Sequence, residues 1–169
     1  MKSFSRFFIP SIFILSVSVA FTGCDNPAHD DEDHAEAEGL ILKESTGSKT
    51  ELVRVWNGAV QSGSLNVVAG TETDHIEIFF LDENQKPFQP EGSEYTLTWT
   101  VADTSVAEVE QHDHLSKVSA EKWEFVLVGK KAGSTKVQFS LNHGGHADFR
   151  TPEVTSPTAI GINVTAPGK

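Results

Sequence analysis

The chain has 169 residues, of which 38% are hydrophobic, and its 13 Lys and Arg stand against 24 Asp and Glu for a formal net charge of −11. This is enough apolar material for one domain core, and so large a carboxylate excess excludes binding of nucleic acid through its phosphates. The single Cys, Cys24, excludes an intrachain disulfide and a cysteine-based zinc finger.

Lys2 and Arg6 precede a run, 7–19, that is apolar apart from Ser and one Pro. A charged start and a short apolar stretch are the marks of an export signal, and the run is too short for a mature membrane span. Phe21-Thr22-Gly23-Cys24 follows at once. This resembles a bacterial lipobox, with Phe21 where Leu is more usual. The resemblance implies cleavage before Cys24 and acylation of its thiol, the nucleophile that takes the lipid. Residues 1–23 are then a lipoprotein signal peptide. Removing Lys2 and Arg6 with it leaves 146 residues at a net charge of −13. The expected location is the cell envelope, lipid-anchored on the extracytoplasmic side of a bacterial membrane, at its periplasmic face or at the cell surface.

Residues 24–38 form an acidic stretch with seven carboxylates, His29 and His34, and no Lys or Arg. Without apolar periodicity it has nothing to bury, so the expectation is a disordered tether extended by self-repulsion. The alternative reading is that His29 and His34 among the carboxylates hold a divalent metal, and only weakly, because a flexible chain loses entropy on binding.

From Gly39 short apolar alternations take over, separated by turn residues. Segments 40–44 and 51–56, joined by Ser45-Thr46-Gly47-Ser48-Lys49, read as a hairpin, which sets apart a unit 39–62. Seven strands are then expected at 64–69, 75–81, 95–101, 106–110, 123–128, 136–142 and 158–165. Tyr95, Leu97, Trp99 and Val101 alternate with Thr96, Thr98 and Thr100, and Val137, Phe139 and Leu141 with polar neighbours. No segment has a helical period. Seven strands at this spacing, with a buried Trp on the third, predict an all-β fold: an immunoglobulin-like antiparallel β-sandwich over 63–169 that carries the extra N-terminal hairpin.

The run Leu97-Thr98-Trp99-Thr100-Val101-Ala102-Asp103-Thr104-Ser105-Val106-Ala107-Glu108-Val109 is similar to the signature of bacterial Ig-like group 2 domains. In that family a Trp strand leads through Asp to Ser-Val-Ala and a short strand. Gly129-Lys130-Lys131-Ala132-Gly133-Ser134-Thr135 resembles the family's Gly-x-x-Ala-Gly turn. The resemblance covers about residues 63–165 and implies the fold rather than a function. Two connections, 111–122 and 143–157, are longer than the family pattern.

Those two connections hold four of the seven His: His112 and His114 flank Asp113, and His143 and His146 are followed by Asp148. In a sandwich of this topology the connections 82–94, 111–122 and 143–157 share one pole, so residues distant in sequence are expected to meet there. His75 starts a strand at the other end. Imidazole and carboxylate suit zinc, copper(II) or nickel, and Gly144-Gly145 allows His143 and His146 to face one point. His112, His114, His143 and His146 are the expected ligands, with Asp113 or Asp148 as a further ligand or as acceptor to a ligand imidazole. The bland alternative is that His143, in phase with Val137, Phe139 and Leu141, only caps the core.

No Gly-x-Ser-x-Gly, phosphate loop or His-Glu-x-x-His is present, so no enzyme is expected. The sequence thus points to a lipid-anchored protein that binds a divalent transition metal, zinc first, for capture, buffering or delivery. Its partners would be the membrane and a metal transporter or surface protein. The competing reading is a metal-free adhesion, interaction or spacer module.

Overall fold

Alternation of apolar and polar side chains builds more than half of the described residues into strands. A computed structural model describes residues 36–111 and 121–168. The elements in chain order are β1 (Gly39–Glu44), β2 (Glu51–Trp56), β3 (Ala59–Gly63), β4 (Leu65–Val68), β5 (Ile76–Leu81) and β6 (Pro87–Phe88). There follow β7 (Tyr95–Val101), β8 (Ala107–Glu110), a 3-10 turn (Glu121–Trp123), β9 (Glu124–Gly129), β10 (Gly133–His143), β11 (His146–Arg150) and β12 (Ile160–Thr165). Among the described residues no helix is long and apolar enough to cross a membrane.

The strands form two sheets. One has the order β3-β2-β1-β5-β9-β8, with β6 on β5; the other has β11-β10-β12-β4, with β7 on β10. All pairs are antiparallel except β4 with β12, which run parallel. The fold is the immunoglobulin-like antiparallel β-sandwich expected from the sequence. The N-terminal hairpin belongs to it: β1 pairs with β2 on one side and with β5 on the other, Leu40 opposite Phe80 and Leu42 opposite Ile78. Residues 1–35, which hold the expected signal peptide, most of the expected acidic tether and Cys24, lie outside the described residues.

Inward-facing residues of both sheets make one core: Leu40, Leu42, Ile78, Phe80, Phe125, Leu127, Val137, Phe139, Leu141, Ile160 and Ile162 are all buried. Each such side chain contributes about 1.5–3 kcal/mol relative to exposure. The core indole differs from expectation. Trp99 is only half-buried: β7 is an edge strand whose one strand partner among the described residues is β10. Trp123 is the fully buried Trp. It ends the 3-10 turn rather than beginning a strand, meets Phe80 edge to face at 5.3 Å, and donates its indole N–H to the Pro90 carbonyl at 3.2 Å.

The two motif runs have local physical causes. The Asp103 carboxylate accepts hydrogen bonds from Ser105 N at 2.9 Å and Ser105 Oγ at 2.7 Å. This side-chain turn carries the chain from β7 to β8, where Val106 and Ala107 are buried. The Val106 carbonyl accepts from Lys130 N at 2.9 Å, which ties the second run to the first. A Cβ on Gly129 would stand 2.5 Å from the Val68 carbonyl oxygen, so that position admits only glycine.

The long connection after β10 is also not the open loop expected. Its first part is β11, which runs back along β10, and β12 continues along the same edge farther down. Between Ser140↔Arg150 and Val137↔Ile160, three steps on β10 are matched by ten on the returning chain, so seven residues are looped out. The excursion is held at the β10 edge by Thr151, by Gln138 Nε2 donating to Thr151 O at 2.8 Å, and by Lys136 Nζ donating to Ser156 O at 2.6 Å.

Candidate functional site

His143 ends β10, His146 begins β11, and the two are direct cross-strand partners. Only Gly144 and Gly145 separate them, with φ of 55° and 97°. Positive φ at both central residues is the signature of a type I′ hairpin, whose twist matches that of the strands. The turn thus fixes the two imidazoles side by side, with ring centroids 6.2 Å apart and planes at 59°. Zinc stands about 2.0–2.1 Å from an imidazole nitrogen, which puts two rings on one ion about 5–6 Å apart. The observed spacing is within a small rotamer adjustment of that range.

A β-bulge refines the arrangement. Leu141 pairs with Phe149 but Asn142 with Ala147, so Asp148 is the extra residue of β11. Bulges re-aim side chains, and the Asp148 side chain is only 3% exposed, with Oδ1 3.8 Å from His146 Nε2. His146 itself is 53% exposed. On the other edge of β10, Tyr95 is the partner of His143, and their rings stack at 4.4 Å with planes 15° apart. The stack fixes the plane of the His143 ring.

The surroundings are acidic. Glu36, Glu38, Glu83, His146 and Asp148 line one open hollow of about 600 Å³. Four carboxylates around it make a local potential that draws cations. Among the described residues no group of three or more His, Cys, Asp or Glu closes on a single point.

The base of the connection after β8 is tied to the loop that leads into Tyr95. Gln111 Nε2 donates to Lys122 O at 2.7 Å, and Lys122 Nζ donates to Gly92 O at 2.5 Å while lying 4.7 Å from the Trp123 ring centroid. Burial holds the Lys122 ammonium below its ordinary pKa, against the opposing attraction of Glu94.

Of the residues singled out from the sequence, His143, His146 and Asp148 come together. His112, Asp113 and His114 lie outside the described residues, as does Cys24. His75 stands at the end of β5 away from Leu81, and its Nδ1 donates to Glu124 Oε2 at 3.0 Å. Tyr95, Glu36, Glu38 and Glu83 were not anticipated. Tyr95 becomes visible once β7 and β10 are paired in register, which alternation alone does not give; Glu36 and Glu38 end the acidic stretch, and Glu83 carries no sequence signal.

No protein-family model matches the chain, and no curated protein matches it. Among solved structures, two of the S-layer protein SbsC are similar to it. The crystal structure of SbsC domains 4 and 5 is 19% identical, with a TM-score of 0.38, over 64% of this chain and 50% of that one. The structure of SbsC domains 1–6 is 18% identical, with a TM-score of 0.39, over 64% of this chain and 12% of that one. The chain thus spans about half the length of the first and about an eighth of the second.

Proposed function

We propose that this chain is a lipid-anchored protein of the bacterial cell envelope, related to Ig-like group 2 domains, that binds a divalent transition metal at the pole carrying His143 and His146. Zinc is the first candidate, since the donors are imidazole and carboxylate and the described residues include no Cys or Met. The role is capture, buffering or delivery of the ion to a membrane transporter. The observation that carries this reading is the type I′ turn that pairs His143 with His146, next to the buried Asp148 carboxyl. His112, Asp113 and His114 belong to the connection rooted beside the loop that leads to Tyr95, and complete the donor set on this reading.

The test is a zinc titration of the full chain against a competing chelator, beside the double variant His143→Ala/His146→Ala. The expected result is one tight ion per chain, lost in the variant, with only weak tether binding left. Weak binding that the variant leaves unchanged would overturn the metal reading. The second reading is a metal-free cell-surface adhesion, interaction or spacer module, and the same titration separates the two.

A further inference from the structure

β7 is the outermost strand on its side of the second sheet, and β10 is its only strand partner among the described residues. Ala102 N donates to Lys136 O at 2.9 Å. Antiparallel alternation then turns the backbone groups of Thr96, Thr98 and Thr100 toward β10. Those of Leu97 and Trp99 face outward from the sheet.

Other edges of the sandwich are guarded. β8 carries Glu108 and Glu110, with Lys130 paired to Glu108. β4 has four residues, and β3 ends in three exposed ones, Gln61, Ser62 and Gly63. β7 has seven residues, Tyr-Thr-Leu-Thr-Trp-Thr-Val, none of them charged, in a chain of net charge −11. It has no Lys, Pro or bulge, the devices that keep an edge from pairing. Its inward side chains Trp99 and Val101 are half-exposed, whereas Phe139 and Val137 opposite them on β10 are fully buried.

We propose that the β7 edge docks a second copy of this chain, two β7 strands pairing antiparallel about a twofold axis at Thr98. The sequence is self-complementary in that register. Leu97 stands opposite Trp99 of the other copy and exchanges both backbone hydrogen bonds with it. Thr96 meets Thr100, and Tyr95 meets Val101. Aromatic–aliphatic and Thr–Thr cross-strand pairs are favourable, and no charge lies within the paired segment. The inward faces align, so the added strand covers the exposed part of Trp99 and Val101. The two acidic bodies repel at long range, so association tightens as salt screens them.

The experiment is sedimentation velocity on the full chain over a range of concentrations, at low and at moderate salt, for wild type, Thr98→Lys, Thr98→Glu and the mixture of both variants. Thr98 is exposed, so the substitutions leave the core intact; matching near-ultraviolet circular dichroism checks this. The expected result is a concentration-dependent dimer, tighter at the higher salt. Each variant sets like charges across the axis and raises the dimer Kd about five- to ten-fold, and the mixture recovers as a heterodimer. A wild type that stays monomeric throughout would overturn the proposal, as would variants that dimerise like the wild type. A mixture no tighter than its components would overturn the axis at Thr98.

Discussion

Thr151 is joined to Phe139 by three hydrogen bonds: its N donates to Phe139 O at 3.0 Å, Phe139 N donates to its Oγ1 at 2.9 Å, and its Oγ1 donates to Phe139 O at 3.4 Å. The side chain closes the β10 edge where β11 has ended and β12 has not begun. Both residues are buried.

Thr151→Val keeps the shape and removes the hydroxyl, which leaves the buried Phe139 N–H without its acceptor. The expected loss is about 1–3 kcal/mol of unfolding free energy. Thr151→Ser retains the hydroxyl and should lose about 1 kcal/mol or less. Urea denaturation of both variants measures the difference; a larger loss in Thr151→Ser than in Thr151→Val would show that the methyl group, not the hydroxyl, matters there.

Gly58 and Gly63 have similar backbone angles, φ of 70° and 82°, but different surroundings. A Cβ at Gly58 meets nothing within 4 Å, whereas one at Gly63 stands 1.8 Å from the Leu52 carbonyl oxygen. Gly58→Ala is expected to cost about 1–2 kcal/mol, the left-handed penalty alone. Gly63→Ala is expected to cost clearly more, because β2 and β3 must separate. Thermal melts of the two variants side by side check the order.

How far the sequence disclosed this fold depends on where each strand sits. β5, β7, β10 and β12 lie against the core, and their alternation marked them within a few residues. β3 and β11 are edge segments whose apolar content is too low for that signal. Their hairpins are instead marked by Asn57-Gly58 and Gly144-Gly145, dipeptides suited to positive φ. Trp123 was placed on a strand because it is in phase with Phe125 and Leu127; the 3-10 turn before β9 is set by the Pro90 carbonyl, a long-range partner. At the candidate site, Gly144-Gly145 foretold the closeness of His143 and His146. The Tyr95 stack and the burial of Asp148 depend on register and on a bulge, neither of which has a sequence signature.

The Asp103 carboxyl is held below its ordinary pKa of 3.8, chiefly by the Ser105 hydroxyl and next by the Ser105 backbone N–H. The folded chain therefore gives up this proton more readily than the unfolded chain. The resulting stabilisation is present above about pH 3.8 and is lost as pH falls through the lowered value. Ser105→Ala should move the carboxyl toward 3.8 in an NMR titration and weaken that acid-range dependence. An unchanged titration would assign the shift to the backbone N–H.

On the proposed metal reading, Tyr95 acts on zinc through His143, whose ring it holds by stacking. Tyr95→Phe keeps the stack and should leave zinc affinity near wild type. Tyr95→Ala frees the ring and should weaken affinity about ten-fold. Chelator competition gives the affinities, and the imidazole proton shifts of His143 report whether the ring has been released. A merely structural Tyr95 would lower the thermal stability of Tyr95→Ala and leave affinity unmoved in both variants.

The parallel pairing of β4 with β12 joins strands about a hundred residues apart, Leu65 to Ile162 and Val67 to Val164. β4 has no other strand partner among the described residues, so it gains its sheet only when the last strand arrives. Such contacts raise contact order and slow folding, because a long loop must close before the pairing is gained. β1, β2 and β3 close by short turns and can form early. A chain emerging amino end first therefore waits, its core open, until β12 is free. Trimming residues from β12 onward would leave β4 unzipped and strip β10 of its β12 partner over Gly133–Val137.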